Sequence, residues 1–185
     1  MKLRDFCYIE DNSLSPDICD DVIDFYHSNE QHHEHIDYVD KKPKFTQMNF
    51  SKHVGFESNL HKAVMKAGMK AIDNYRSHVK ETEYWSKDYG YEYFRIKHYR
   101  AGSDDQFTTH IDSNTKDNYM RFLAFFWYLN DVEVGGTTEF TNFDLTIQPK
   151  KGRLFIFPPL WLYPHRGNPT VSNDKFLLSS YLHCA

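Results

Sequence analysis

Cysteine is scarce in this chain. Only Cys7, Cys19 and Cys184 occur among 185 residues. An odd, sparse set makes no disulfide framework, and reduced thiols point to an intracellular protein. Long apolar runs are missing too. The longest, FLAFFWYL from Phe122 to Leu129, is too short to cross a bilayer. The opening MKLRDFCYIEDN has no apolar stretch of the kind a signal peptide carries. These absences set the expectation of a cytoplasmic protein without a membrane partner. Charge of one sign is not concentrated either. The formal net charge is −4, with no acidic or basic block. Sequence-independent nucleic-acid binding needs a basic face, so it is disfavoured. No internal repeat, low-complexity tract or Gly/Ser linker divides the chain, and its length suits a single domain over 1–185.

Aromatic residues are plentiful, with 15 Phe and 13 Tyr, a composition that favours strands. The two halves differ in pattern. Residues 1–89 read as mainly helical. SLSPDICDDVIDFYHSN offers Ser15 as N-cap, Pro16 in the first turn, and Ile18, Val22, Phe25 and Tyr26 at helical spacing. A second helix is expected from about Ser58 to Val79. Between them QHHEHIDYVDKKPKF is polar, aperiodic and broken by Pro43, and reads as a surface loop. Residues 90–185 read as short strands joined by turns. RFLAFFWYLN is apolar on both faces, as in a strand buried on both sides. Gly135-Gly136 and PKKG (149–152) mark turns. Helices first and strands later give an α+β class, with a sandwich or small barrel as the core.

The tripeptide His-Ile-Asp occurs twice, at 35–37 and 110–112. About one His-x-Asp is expected by chance in a chain of this composition, so context must choose between the copies. Residues i and i+2 of a strand point to one face. His110 and Asp112 at a strand end can therefore converge on one ion, and a histidine from a neighbouring strand completes a triad with an open face, as in non-haem Fe(II) oxygenases. His165 follows the strand RLFIFPP and fits that place. The copy at 35–37 lies in the polar stretch and has no such support. Ten residues after His165, Lys175 opens the last strand, with Leu177, Ser179 and Tyr181 on its face.

This ordered set resembles the 2-oxoglutarate- and Fe(II)-dependent dioxygenases, most closely the prolyl 4-hydroxylase type. The matching pieces are Tyr99 with Gly102, HID at 110–112, YLN at 128–130, Gly135-Gly136, PKKGRLFIF at 149–157, His165 and Lys175. The resemblance spans about Tyr91 to His183, and YIEDNSLSPDICDDVI looks like the family's opening strand and helix.

The resemblance implies a double-stranded β-helix (jelly roll) with N-terminal helices packed on the larger sheet. It implies His110, Asp112 and His165 as Fe(II) ligands and catalytic centre. Lys175 is implied as partner of the C5 carboxylate of 2-oxoglutarate, with Tyr128 sharing that carboxylate and Tyr99 lining the pocket. Arg121, Tyr181 and His183 match substrate-side positions, with Tyr181 standing where the family carries Trp. The cosubstrates are then 2-oxoglutarate and O2, with ascorbate as an optional addition. The expected reaction is hydroxylation of a C–H bond, with succinate and CO2 released. The presence of Asp112 favours this over halogenation, since related halogenases lack that carboxylate. The expected substrate is a prolyl residue in a peptide or protein, with a small molecule such as a free amino acid as the alternative. Nucleic-acid demethylases of the AlkB type carry Arg where Lys175 stands and a second Arg beyond it, which this chain lacks. A non-catalytic β-helix binding module usually loses a ligand or the basic residue, and here all are present. The segment 31–50 is expected to act as a lid over the site entrance, or else as a plain connector.

Overall fold

The structure is a computed structural model that describes residues 2–38 and 43–185. In chain order the elements are β1 (Tyr8–Glu10), α1 (Pro16–His27), β2 (Glu34–Asp37), β3 (Pro43–Asn49), α2 (Phe50–Val54), α3 (Asn59–His78), β4 (Tyr89–Tyr91), β5 (Arg95–Tyr99), β6 (Gln106–His110), β7 (Arg121–Tyr128), β8 (Thr138–Phe140), β9 (Leu145–Ile147), β10 (Leu154–Phe157), β11 (His165–Gly167) and β12 (Lys175–Cys184). Capping sets where the helices begin. Ser15 Oγ accepts from Ile18 N ahead of α1, and Ser58 Oγ accepts from His61 N at 3.1 Å ahead of α3.

The strands hydrogen-bond in the order β1-β10-β7-β12-β5-β3-β6-β11-β8-β9, with β2 added to β3 and β4 to β12. These pairs are all antiparallel. Strand β3 turns the sheet over on itself. Its residues 46–49 pair with β5, while Pro43 and Lys44 pair with β6. The sheet is thereby curled into a double-stranded β-helix, as the resemblance implied.

Strand alternation divides the core in two. On β7, Leu123, Phe125 and Trp127 face the helices and pack with Val22 and Tyr26 of α1 and Val64, Ala71, Ile72 and Tyr75 of α3. Ala124, Phe126 and Tyr128 face the inside of the roll, with Tyr99, Phe140, Phe155, Phe157 and Leu177. Burying a side chain of this size is worth about 1.5–3 kcal/mol, so both faces of β7 are committed. Gly68 of α3 packs close to Phe94, Phe125 and Trp127, at distances that are ordinary van der Waals contact even for an added Cβ. The apolar-on-both-faces reading of RFLAFFWY holds: it is central, between β10 and β12.

One expectation needs correction. The stretch expected to be a polar surface loop contains the hairpin partners β2 and β3, with residues 39–42 outside the described residues. Lys44 and Gln47 mask the strand's period, and Pro43, Phe45 and Met48 are buried. Besides its hairpin partner β2, β3 gains its hydrogen bonds from β5 and β6, both more than 45 residues onward, and these place it inside the sheet. With β1, it also makes the N-terminal half part of the sheet.

Candidate active site

Strand pairing assembles the first cluster. In the β6–β11 ladder His110 stands directly opposite His165, and Asp112 follows two residues beyond the end of β6. His110 Nε2 lies 3.3 Å from one Asp112 oxygen and His165 Nε2 lies 3.6 Å from the other. The three ligand atoms all fall within 4.8 Å of one another. Each ring is locked by its other nitrogen. His110 Nδ1 donates to Thr108 O at 2.8 Å and His165 Nδ1 donates to Tyr163 O at 3.1 Å. A carbonyl only accepts, so each Nδ1 carries the proton and each Nε2 presents a lone pair. Phe107 stacks on His110 at 3.4 Å, and Phe157 packs edge-on to His165.

The electrostatics suit a cation. Burial alone would raise the Asp112 carboxyl, but His165 and His110, with Lys97 beyond them, hold it well below the usual carboxylate range. Burial pushes His165 down to about 4 against the pull of Asp112, so it stays neutral. Two imidazoles and a carboxylate are the donor set of the facial triad. Among the described residues this is the one group of His, Cys, Asp or Glu so arranged. His35-Ile36-Asp37 is not. It runs along β2 with His35 and Asp37 exposed, His35 paired with Thr46 and Asp37 with Lys44.

Deeper in the same pocket lies Lys175, only 1% exposed. Its ammonium donates to Gly136 O at 3.0 Å and sits 4.3 Å from the centre of the Tyr99 ring, its neighbour across β5–β12. No carboxylate among the described residues pairs with it. Burial, with Lys97 adding, pushes its pKa down to about 7. A buried ammonium left this way is costly, and an incoming carboxylate would restore it. Gly136, at φ +66°, and Gly167 flank the amine without side chains. Tyr128 Oη donates to Thr138 Oγ1 at 2.7 Å on the wall of this pocket. The start of β12 is clamped from two sides. Asn130 accepts from Phe176 N and donates to Asp174 O, and the Asp174 carboxylate takes His98 Nε2 at 2.6 Å and Ala101 N at 2.8 Å.

Outside the triad the pocket opens into a cleft of about 740 Å³. Arg121 lies on its wall, held by Glu92 at 2.6 and 2.7 Å, donating to Asp112 O and stacked 3.9 Å over Tyr181. Burial and Asp112 push the Tyr181 hydroxyl up, with Arg121 opposing. Tyr38, Pro43, Phe45 and Gln47 line the cleft, so these residues of the 31–50 segment form part of its wall. His183 is not brought to the site. It lies past an irregularity in the β12–β7 register, against Gly90 of β4, with Nδ1 buried and unpartnered among the described residues.

Three residues here escape a motif-based reading. Thr138 follows the Gly-Gly turn by two. Glu92 meets Arg121 only through the fold. Lys97 lies two residues before Tyr99 on the same strand face, so period two from Tyr99 was a usable signal.

A curled β-helix presenting two histidines and a carboxylate at its open end defines a non-haem oxygenase scaffold. Residues 94–183 match the model of the 2OG-Fe(II) oxygenase superfamily. The chain thus carries a 2OG-Fe(II) oxygenase domain and is an enzyme of the 2-oxoglutarate-dependent dioxygenase class, with Fe(II) and 2-oxoglutarate as its cofactor and cosubstrate. No curated protein sequence matches it. Solved structures do. A viral collagen prolyl hydroxylase from Paramecium bursaria Chlorella virus-1, a 2OG complex, superposes with TM-score 0.74 at 19% identity, covering 97% of each chain. A prolyl hydroxylase from Trichoplax adhaerens, bound to a hypoxia inducible factor oxygen degradation domain peptide fragment, gives 0.72 at 16% identity over 97% of this chain and 84% of that one. A Pseudomonas putida prolyl-4-hydroxylase gives 0.67 at 15%, over 97% and 93%. At such identities the likeness establishes the fold. Among the described residues no helix is long and apolar enough to cross a membrane.

Proposed function

We propose that the protein hydroxylates a prolyl residue of a peptide or protein, with His110, Asp112 and His165 holding the iron. The observation that carries the metal assignment is the opposition of His110 and His165 across one ladder, with both Nε2 atoms turned to Asp112. Lys175 is assigned to the C5 carboxylate of 2-oxoglutarate, for it is a buried ammonium in the same pocket with no carboxylate partner. Tyr99 and Thr138 line that end, and the Tyr128 hydroxyl donates to Thr138 from behind the wall. Bound iron with 2-oxoglutarate supplies the oxidising power, with succinate and CO2 as by-products. The chain's own residues orient, shield and position. The carbonyls of Thr108 and Tyr163 fix the imidazole planes, and Phe107, Phe140 and Phe157 keep water from their flanks. Arg121 and Tyr181 form the floor on which the target residue is set, so that proximity supplies much of the rate.

The prolyl assignment draws support from the prolyl hydroxylases among the superposed structures and from an open cleft able to admit a chain segment. Three unpaired cysteines fit a cytoplasmic setting. The test is mass spectrometry of a peptide pool incubated with enzyme, Fe(II) and 2-oxoglutarate. Prolyl residues should gain one oxygen atom, and His110→Ala should give none. Oxygen found only on other residues, or only on free amino acids, overturns the prolyl assignment.

A further inference from the structure

We propose that the substrate is an acidic peptide whose carboxylate, beside the oxidised residue, is held by Lys97. This rests on the peptide reading above and narrows it. Lys97 lies on β5 between Gln47 of β3 and Leu177 of β12, and faces the inside of the roll. Its ammonium sits over the rings of Phe45 at 5.6 Å and Phe107 at 5.9 Å. Among the described residues no carboxylate or hydrogen-bond acceptor pairs with it. It borders both the inner pocket and the outer cleft, whereas Lys175 borders only the inner one.

Charge balance says what Lys97 awaits. Among the described residues the cleft is lined by Arg95, Lys97 and Arg121 and by a single carboxylate, Asp112, in a protein whose formal net charge is −4. Arg121 is neutralised by Glu92, and Arg95 has Glu34 at 4.0 Å on the exposed rim. With iron and 2-oxoglutarate in place, the ion and Lys175 are balanced by Asp112 and the two cosubstrate carboxylates. Lys97 is then the cation left over. The Phe45 and Phe107 rings attract the half-buried ammonium but bring no counter-charge, which an anion would supply. The cleft runs from Tyr38 and Phe45 to the 114–118 turn, a span suited to a peptide rather than a single amino acid.

The test uses four peptides of one length, with Pro or Ala at the target and Glu or Gln on either side. Affinity is read by anisotropy on protein loaded with Mn(II) and 2-oxoglutarate, and oxidation by mass spectrometry with Fe(II). The Glu peptides should bind at least about tenfold tighter than their Gln partners. Lys97→Gln should erase that ratio, Lys97→Arg should keep it, and Lys97→Glu should reverse it toward a Lys-flanked peptide. Equal affinity for Glu and Gln peptides overturns the proposal while leaving the prolyl assignment standing, provided the Pro peptides are oxidised. A Glu preference in binding with no oxidation of the prolyl residue supports the anion site and overturns the prolyl assignment instead. Weakened 2-oxoglutarate binding by Lys97→Gln, with the Glu preference intact, assigns Lys97 to the cosubstrate and also overturns the proposal.

Discussion

Replacing Lys175 by Met should stabilise the empty protein and abolish cosubstrate binding, two effects of opposite sign from one side chain. Met keeps the apolar stem and removes the charge. Burial lowers the lysine from 10.5 to about 7. At about 1.36 kcal/mol per unit, that shift bounds the cost of the buried charge at about 4–5 kcal/mol. The folded pKa lies below the unfolded one, so between the two values the unfolded chain binds more protons and stability rises with pH. Below about pH 7 the cost is felt in full. Urea unfolding of metal-free protein at pH 6 should show Lys175→Met more stable by a few kcal/mol, and the gap should close toward pH 10. The hydrogen bond to Gly136 O, worth about 1 kcal/mol, is too small to reverse this. Binding moves the other way. Leaving a buried carboxylate without its cation costs about 3–5 kcal/mol, or roughly 150- to 5,000-fold in 2-oxoglutarate affinity by calorimetry with Mn(II). A variant less stable than wild type at pH 6 would show Lys175 to be a structural strut on Gly136. An unchanged affinity would remove it from the cosubstrate site.

Asp112→Ala should weaken Mn(II) or Co(II) binding by more than about 100-fold in a metal titration, since even outer partners of metal ligands are worth about 10–100-fold. Arg121→Met strands the half-buried Glu92 carboxylate and should lower stability by about 1–3 kcal/mol in thermal unfolding, with Glu92→Gln costing less. Gly152→Ala should lower the denaturant midpoint by the equivalent of about 2–4 kcal/mol, because the site has φ +75° and a Cβ would lie 2.4 Å from Leu14 O.

The helices were legible because their signals are local. Ser15 and Ser58 cap them, and their apolar stripes repeat within a few turns. The site was legible as an ordered set of residues, since His110, Asp112, His165 and Lys175 keep a recognisable order and spacing along the chain. Strand period alone also put Leu177, Ser179 and Tyr181 on the face of Lys175. The hairpin β2–β3 was not legible. A strand with Lys44 and Gln47 among buried neighbours looks like a loop until β5 and β6 supply its partners. The same holds for His183, whose place depends on a register change that no spacing rule reports.

The sequence by itself determined the boundaries of α1 and α3, the turn glycines and which side chains are candidates for the chemistry, because each rests on nearest neighbours or on residue type. Only the tertiary structure decided which His-Ile-Asp has a second histidine opposite it, that Arg121 is spent on Glu92, and that Lys97 has no carboxylate partner among the described residues of the cleft. Those depend on pairings between strands tens of residues apart and on the exclusion of water from the space they enclose. A chain read in one dimension encodes that space without displaying it.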